Sequence, residues 1–222
     1  MDIKAILSEI KAELPQTTQL VAVSKFHPAE AIKEAYDAGQ RIFGESKVQE
    51  LEEKHTVLPQ DIVWHFIVHL QTNKVKYIAP YISMIHAVDS YKLLAEINKQ
   101  AAKADRVIPC LLEIHIAKEE TKFGFTPEEC TDILKEGSWK ELKNVCISGI
   151  MGMATNTDDD AMIESEYTKL AAYFNELKST FFKDCNSFKE LSMGMSDDYH
   201  LAIKHGSTLV RIGSKIFGMR NY

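Results

Sequence analysis

Short runs rich in β-branched and other apolar residues alternate along the chain with longer stretches in which apolar residues recur every three or four positions. The first such stretch, MDIKAILSEIKAEL, sets Ile3, Ile6, Leu7, Ile10 and Leu14 on one helical face and Lys4, Glu9, Lys11 and Glu13 opposite. It predicts an amphipathic helix over residues 1–14 rather than a signal peptide. Strand-like runs follow at 20–24, 41–43, 63–68, 84–88, 109–116, 145–151, 190–193 and 208–212, and the clearest helical stretches between them are 91–103 and 161–179. LVAV, CLLEIHI and VCISGIM are nearly unbroken apolar runs, the pattern of parallel strands covered on both faces.

Eight βα units in 222 residues favour closure. The expected fold is therefore α/β, a single (β/α)8 TIM-type barrel over residues 1–222 with the 1–14 helix as an N-terminal addition. An open doubly wound sheet is the competing architecture, but no G-x-G-x-x-G follows the first strand. No Pro/Gly/Ser-rich linker divides the chain. The acidic stretch 158–160 follows Thr155, Asn156 and Thr157 and reads as a solvated loop feeding a helix N-terminus rather than a cation site.

Composition narrows the function classes. Apolar residues at 45% leave ample material for a core, and a net charge of −6 argues against a nucleic-acid surface, which needs clustered cations. Cys110, Cys130, Cys146 and Cys185 show no C-x-x-C pairing, so they read as reduced thiols. No apolar run approaches a membrane span, and the expected location is cytoplasmic.

In a barrel, chemistry gathers at the C-terminal strand ends. Lys25 follows LVAVS at the first of them, where partial desolvation would lower its pKa and free the amine to attack an aldehyde; the alternative is a solvated strand-end lysine. In LSMGMSDD, at 191–198, Gly194 and Ser196 offer a turn suited to an anion, and Ser196 would serve equally as a helix N-cap. In VRIGSKIFG, at 210–218, Gly213 and Ser214 open a short last helix, the place where barrels often bind phosphate. Arg211, on an apolar strand, must find a partner there, with a buried ion pair as the alternative. His65, His69 and His86 lack H-x-H or H-E-x-x-H spacing and read as hydrogen-bonded structural groups rather than ligands of a metal hydrolase.

These pieces, with FGESKVQE at 43–50, WHFIVHLQTNK at 64–74, IHAVD at 85–89 and KFG at 122–124, resemble the pyridoxal phosphate homeostasis proteins, built on an alanine-racemase-like barrel. The resemblance covers nearly the whole chain. It implies that Lys25 holds pyridoxal 5′-phosphate as a Schiff base, that Ser196, Gly213 and Ser214 hold its phosphate, and that Arg211 approaches the pyridine nitrogen. It also implies a monomer, with apoenzymes that require the cofactor as partners, and a rim role for Lys122 and Gly124. The chain departs from the family pattern at Ser46, where Asn is usual, at Val68 and His69, where Gly-Pro is usual, and at His27, where relatives often carry a second lysine.

Two functions follow from this resemblance. The first is a carrier that binds the cofactor reversibly without substantial catalysis. The second is an amino-acid racemase, which needs an opposing acid/base from a further domain and a partner subunit; a chain ending at Tyr222, just after the eighth βα unit, is expected to lack it.

Overall fold

A computed structural model describes residues 2–118 and 123–218. The N-terminal helix α1 (Ile3–Glu13) is capped by Asp2, whose side chain accepts from the Ala5 N–H, and it buries Ile3, Leu7 and Ile10. After it come β1 (Gln19–Val23), α2 (Ala29–Asp37), β2 (Ile42–Glu45), α3 (Val48–Val57), β3 (Val63–Phe66), α4 (Val75–Ile78), β4 (Met84–Val88) and α5 (Tyr91–Lys103). The second half runs β5 (Ile108–Glu113), α6 (Pro127–Glu136), β6 (Val145–Met151), α7 (Asp160–Thr180), β7 (Glu190–Ser192), α8 (Tyr199–Lys204), β8 (Leu209–Ile212) and α9 (Ser214–Phe217).

The strands pair in parallel in sequence order and β8 closes on β1, so the sheet is a closed barrel, as the alternation predicts. Inside it Val21, Val23, Ile67, Ala87, Leu111, Met151 and Leu209 pack together. Residues of the opposite parity, such as Leu20, Ala22, Phe43, Cys110, Ile150 and Val210, join a larger layer between strands and helices. Two buried faces per strand explain why these sequences lack the alternation of a half-solvated sheet.

Strand ends differ from the sequence reading where the backbone leaves the ladder. The run expected over 109–116 ends at Glu113; beyond it Ile114 makes only an isolated bridge to Phe125. The run expected over 63–68 ends at Phe66, although the Ile67 N–H still donates to the Glu45 carbonyl at 3.1 Å. The acidic stretch is a helix cap, as expected: Asp159 accepts from the Met162 N–H at 3.1 Å and starts α7. None of the four cysteines is in a disulfide. No helix among the described residues is long and apolar enough to cross a membrane.

One position in the wall admits no side chain. Gly149, in β6, has φ +153, and a Cβ built there would lie 1.8 Å from the Glu190 carbonyl oxygen of the paired strand β7. Relief requires β6 and β7 to separate. Gly206 has φ +85 but open space around it, so a side chain there meets backbone strain alone. Gly149→Ala is therefore expected to cost about 3 kcal/mol or more, and Gly206→Ala about 1 kcal/mol, in urea-unfolding free energy. Equal losses from the two substitutions would contradict the steric account.

Candidate functional site

The closing pair of strands brings the candidate residues together. β1 and β8 pair with Val21 opposite Arg211 and Ala22 opposite Ile212, so the segment just past β1 runs beside the segment just past β8. Lys25, half-buried, leaves β1 at this mouth. The chain then turns sharply: Phe26 takes φ +66, a left-handed conformation that costs a non-glycine residue about 1 kcal/mol or more, and the His27 N–H donates back to the Ser24 carbonyl at 3.1 Å. Pro28 precedes α2 directly.

Gly213 makes the seam tight. A Cβ at this position would lie 3.0 Å from the Val23 carbonyl oxygen and 3.2 Å from the Val23 Cβ. Its N–H donates to Ser196 Oγ at 3.2 Å, which ties the loop after β7 to the loop after β8. Ser214 starts α9, and the N–H groups of Ser214 and Lys215 have no protein acceptor among the described residues, as in any first helical turn.

Ser196 does not cap a helix, contrary to one of its two sequence readings. The helix begins later, at Tyr199 after Asp198. Asp198 is the organising carboxylate: its Oδ1 accepts from the Met195 N–H at 2.5 Å and its Oδ2 from the Tyr167 hydroxyl at 2.8 Å. That capture tightens the turn ahead of α8 and leaves Ser196 facing the loop after β8. Gly194, with φ +95, lets the same turn approach α8, since a Cβ there would lie 2.6 Å from the Ala202 Cβ.

Arg211 is 4% exposed and lies inside the barrel. It donates to Ser192 Oγ at 2.6 Å and to the Gly152 carbonyl at 3.1 Å, while its Nε–H has no acceptor among the described residues. No described carboxylate comes within 4.0 Å, so the alternative of a buried ion pair gives way to neutral acceptors. Burial pulls the guanidinium's pKa down; Tyr167, Asp198 and Glu113 oppose that pull from a distance. A guanidinium nevertheless stays charged.

The buried polar chain continues below it. Ser192 Oγ lies 3.1 Å from His86 Nδ1, and His86 Nε2 lies 2.9 Å from His65 Nδ1. Burial holds the His65 imidazole at a pKa of about 3 and drives that of His86 well below the ordinary value. Both rings are therefore neutral, and a consistent direction runs from Arg211 through the serine hydroxyl to the two imidazoles. These are the hydrogen-bonded structural histidines expected from the sequence.

Arg211, Lys25, Ser196, Gly213 and Ser214 line one cavity of about 240 Å3, together with Asp197 and apolar walls from Val23, Ile67, Val68, Met153 and Met195. Of the four positions that depart from the family pattern, Val68 alone reaches this lining. His69 turns aside, with Nδ1 2.5 Å from Asp89 Oδ2 and its ring stacked on Phe123 at 4.2 Å. The His27 ring packs near Phe217. Ser46 sits half-buried just past β2. Gly124 takes φ +120 against Glu113 and His115, whereas Lys122 lies outside the described residues.

Two polar groups escaped the sequence reading. Ser192, within LSMG, is the main acceptor of Arg211, and no local signal marks it. Glu113 was signalled by a carboxylate inside the apolar run CLLEIHI. It is buried at the end of β5 with Oε2 unpartnered among the described residues. Burial first, and the charge of Asp89 second, push its pKa up to about 7 against the pull of Arg211 and His69.

Comparison with known proteins adds a second line of support. The family described as "Alanine racemase, N-terminal domain" matches residues 2–221. The pyridoxal phosphate homeostasis protein of Pasteurella multocida is 38% identical over 216 residues, covering 96% of this chain and 91% of that protein. The pyridoxal phosphate homeostasis protein of Schizosaccharomyces pombe is 34% identical over 225 residues, covering 98% of this chain and 93% of that one. PipY of Synechococcus elongatus PCC7942, solved with pyridoxal phosphate bound, is 34% identical, with a TM-score of 0.88 over 97% of this chain and 100% of its own. Alanine racemase from Clostridium difficile 630 shares the fold alone, at 13% identity and a TM-score of 0.76, with 57% of its length matched. Closed barrel, mouth residues and near-complete likeness converge, and the chain belongs to the pyridoxal phosphate homeostasis protein family, on the barrel of the alanine racemase N-terminal domain.

Proposed function

We propose that this chain is a pyridoxal 5′-phosphate carrier that maintains the cellular supply of the cofactor, holding it as a Schiff base on Lys25 without substantial catalysis. The observation that carries the proposal is that Lys25, Ser196, Arg211, Gly213 and Ser214, from the ends of three different strands, line a single cavity. The donor set suits the cofactor. A half-buried amine suits its aldehyde, and the Ser196 hydroxyl with the acceptor-free N–H groups of Ser214 and Lys215 suits its phosphate. Gly213 supplies backbone at a place where a Cβ would crowd Val23.

When bound, the cofactor supplies an electron-withdrawing ring. Arg211 determines how far that ring can act. As a permanently charged donor, Arg211 would oppose protonation of a pyridine nitrogen held against it, and an unprotonated ring would be a weak electron sink. Ser192 and the neutral pair His86 and His65 hold the guanidinium in place without offering a proton. Val23, Ile67, Val68 and Met153 exclude water from one side of the cavity. The arrangement favours retention of a reactive aldehyde over carbanion chemistry.

The barrel over 1–222 acts as one cofactor-binding domain, monomeric and cytoplasmic, and passes the cofactor to apoenzymes that require it. Neither nucleic acid nor membrane is a partner.

Two measurements test the site. Purified wild-type protein incubated with pyridoxal phosphate is expected to show the visible absorption band of a Schiff base, and Lys25→Ala to lose it while keeping its fold by circular dichroism. A band that persists in Lys25→Ala would assign the amine elsewhere. Arg211→Glu is expected to favour a protonated ring nitrogen and so to shift that band, and to raise α-proton exchange of free amino acids in heavy water above the negligible wild-type rate. An unchanged band in a loaded variant, or rapid stereospecific exchange by the wild type, would remove Arg211 from this role.

A further inference from the structure

A buried ionic cluster lies just outside the barrel wall, beneath the mouth, and no step of the cofactor reading uses it. Ser24 and Glu45, both fully buried at the ends of β1 and β2, face α3. From α3, the buried Lys54 donates through Nζ to Glu45 Oε1 at 2.7 Å, to Glu50 Oε1 at 2.6 Å and to the Ser24 carbonyl at 2.8 Å. The Ser24 hydroxyl donates to Glu45 Oε1 at 2.6 Å, and Glu50 Oε1 accepts the Phe26 N–H at 2.6 Å.

The chemistry of this cluster is a poor source of stability. Two carboxylates share one ammonium, Glu45 Oε2 is buried without a partner among the described residues, and burial pushes the Glu45 pKa up. Removing such charges from water costs about as much as their attraction returns. The geometric output, by contrast, is specific. The cluster grips the residue before Lys25 by its carbonyl and hydroxyl and the residue after it by its N–H. The second grip falls on Phe26, whose left-handed φ of +66 is the conformation least available to a free chain.

We infer that Glu50 and Lys54, with Glu45 and Ser24, are positioning residues for Lys25: α3 clamps the backbone on both sides of the lysine so that its amine is delivered into the cavity. The inference rests on the reading of Lys25 as the reacting amine. None of the clamp residues lines the cavity, so they act through the backbone of residues 24–26.

Hydrogen exchange at the Phe26 amide, read by NMR on the cofactor-free full-length chain, tests the grip without any cofactor, and the pyridoxal phosphate Kd reads its consequence for Lys25. Glu50→Gln keeps the shape of a side chain that is 19% exposed and weakens the charge-assisted bond to Phe26. A merely structural role for Glu50 would lower the melting temperature and leave the Kd unchanged.

The expected result in Glu50→Gln is Phe26 exchange about fivefold faster or more, a pyridoxal phosphate Kd roughly fivefold weaker, and little change in melting temperature. Lys54→Met is expected to move exchange and Kd the same way, and if that variant fails to fold Glu50→Gln decides alone. Ile97→Val, a core change in the distant helix α5, should lower the melting temperature and leave both untouched. Unchanged exchange at Phe26, or faster exchange with an unchanged Kd, in Glu50→Gln overturns the clamp. Absence of the cofactor from Lys25 in the wild type would instead overturn the carrier reading, and exchange at Phe26 would still report on the clamp.

Discussion

The structure depends on the closure of β8 against β1. These are the strands furthest apart in sequence, and their pairing, with Val21 opposite Arg211, puts the first strand end beside the last. A slip of one residue would turn every inward side chain outward, sending Arg211 into the helix layer and separating Gly213 from Val23. Gly213 enforces the register from one side, because a larger residue would push the strands apart at the mouth. The cavity is a consequence of that seam.

The barrel core holds a buried cation, Arg211, and sets neutral groups against it. Arg211 is satisfied by a serine hydroxyl and a backbone carbonyl rather than by a carboxylate, and the imidazoles below Ser192 are kept neutral by burial. A carboxylate in direct contact would blunt the guanidinium's field at the cavity; neutral acceptors orient it without doing so. Asp198 and Glu113 act on Arg211 only at a distance, and burial pushes the Glu113 pKa up to about 7. The result is a permanent cation in the cavity wall, oriented by neutral partners, which is the feature the proposed carrier role draws on.

The barrel was legible in the sequence because parallel strands covered on both faces leave a simple trace: apolar runs such as LVAV and VCISGIM, separated by helix-period stretches. The candidate residues that meet at the cavity were legible for a related reason. Lys25, Ser196, Arg211, Gly213 and Ser214 stand at or just beyond the ends of such runs, where a polar residue needs explaining. What stayed hidden depends on contacts between distant segments. Ser192 gains its role only from Arg211, nineteen residues later. Glu45 ends β2 and Lys54 lies in α3, and nothing in the stretch FGESKVQELEEK announces that they reach back to Ser24. Ser196 suited an anion-binding turn and a helix cap equally on local grounds, and tertiary contact with Tyr167 selected Asp198 as the organiser of the turn.

Borohydride reduction of the full-length chain loaded with pyridoxal phosphate, followed by peptide mass mapping, tests the central claim most directly. The account requires a single pyridoxyl adduct on the peptide that contains Lys25. An adduct confined to other lysines, or none at all, would mean that the mouth built by the β1–β8 seam is not where the cofactor is held.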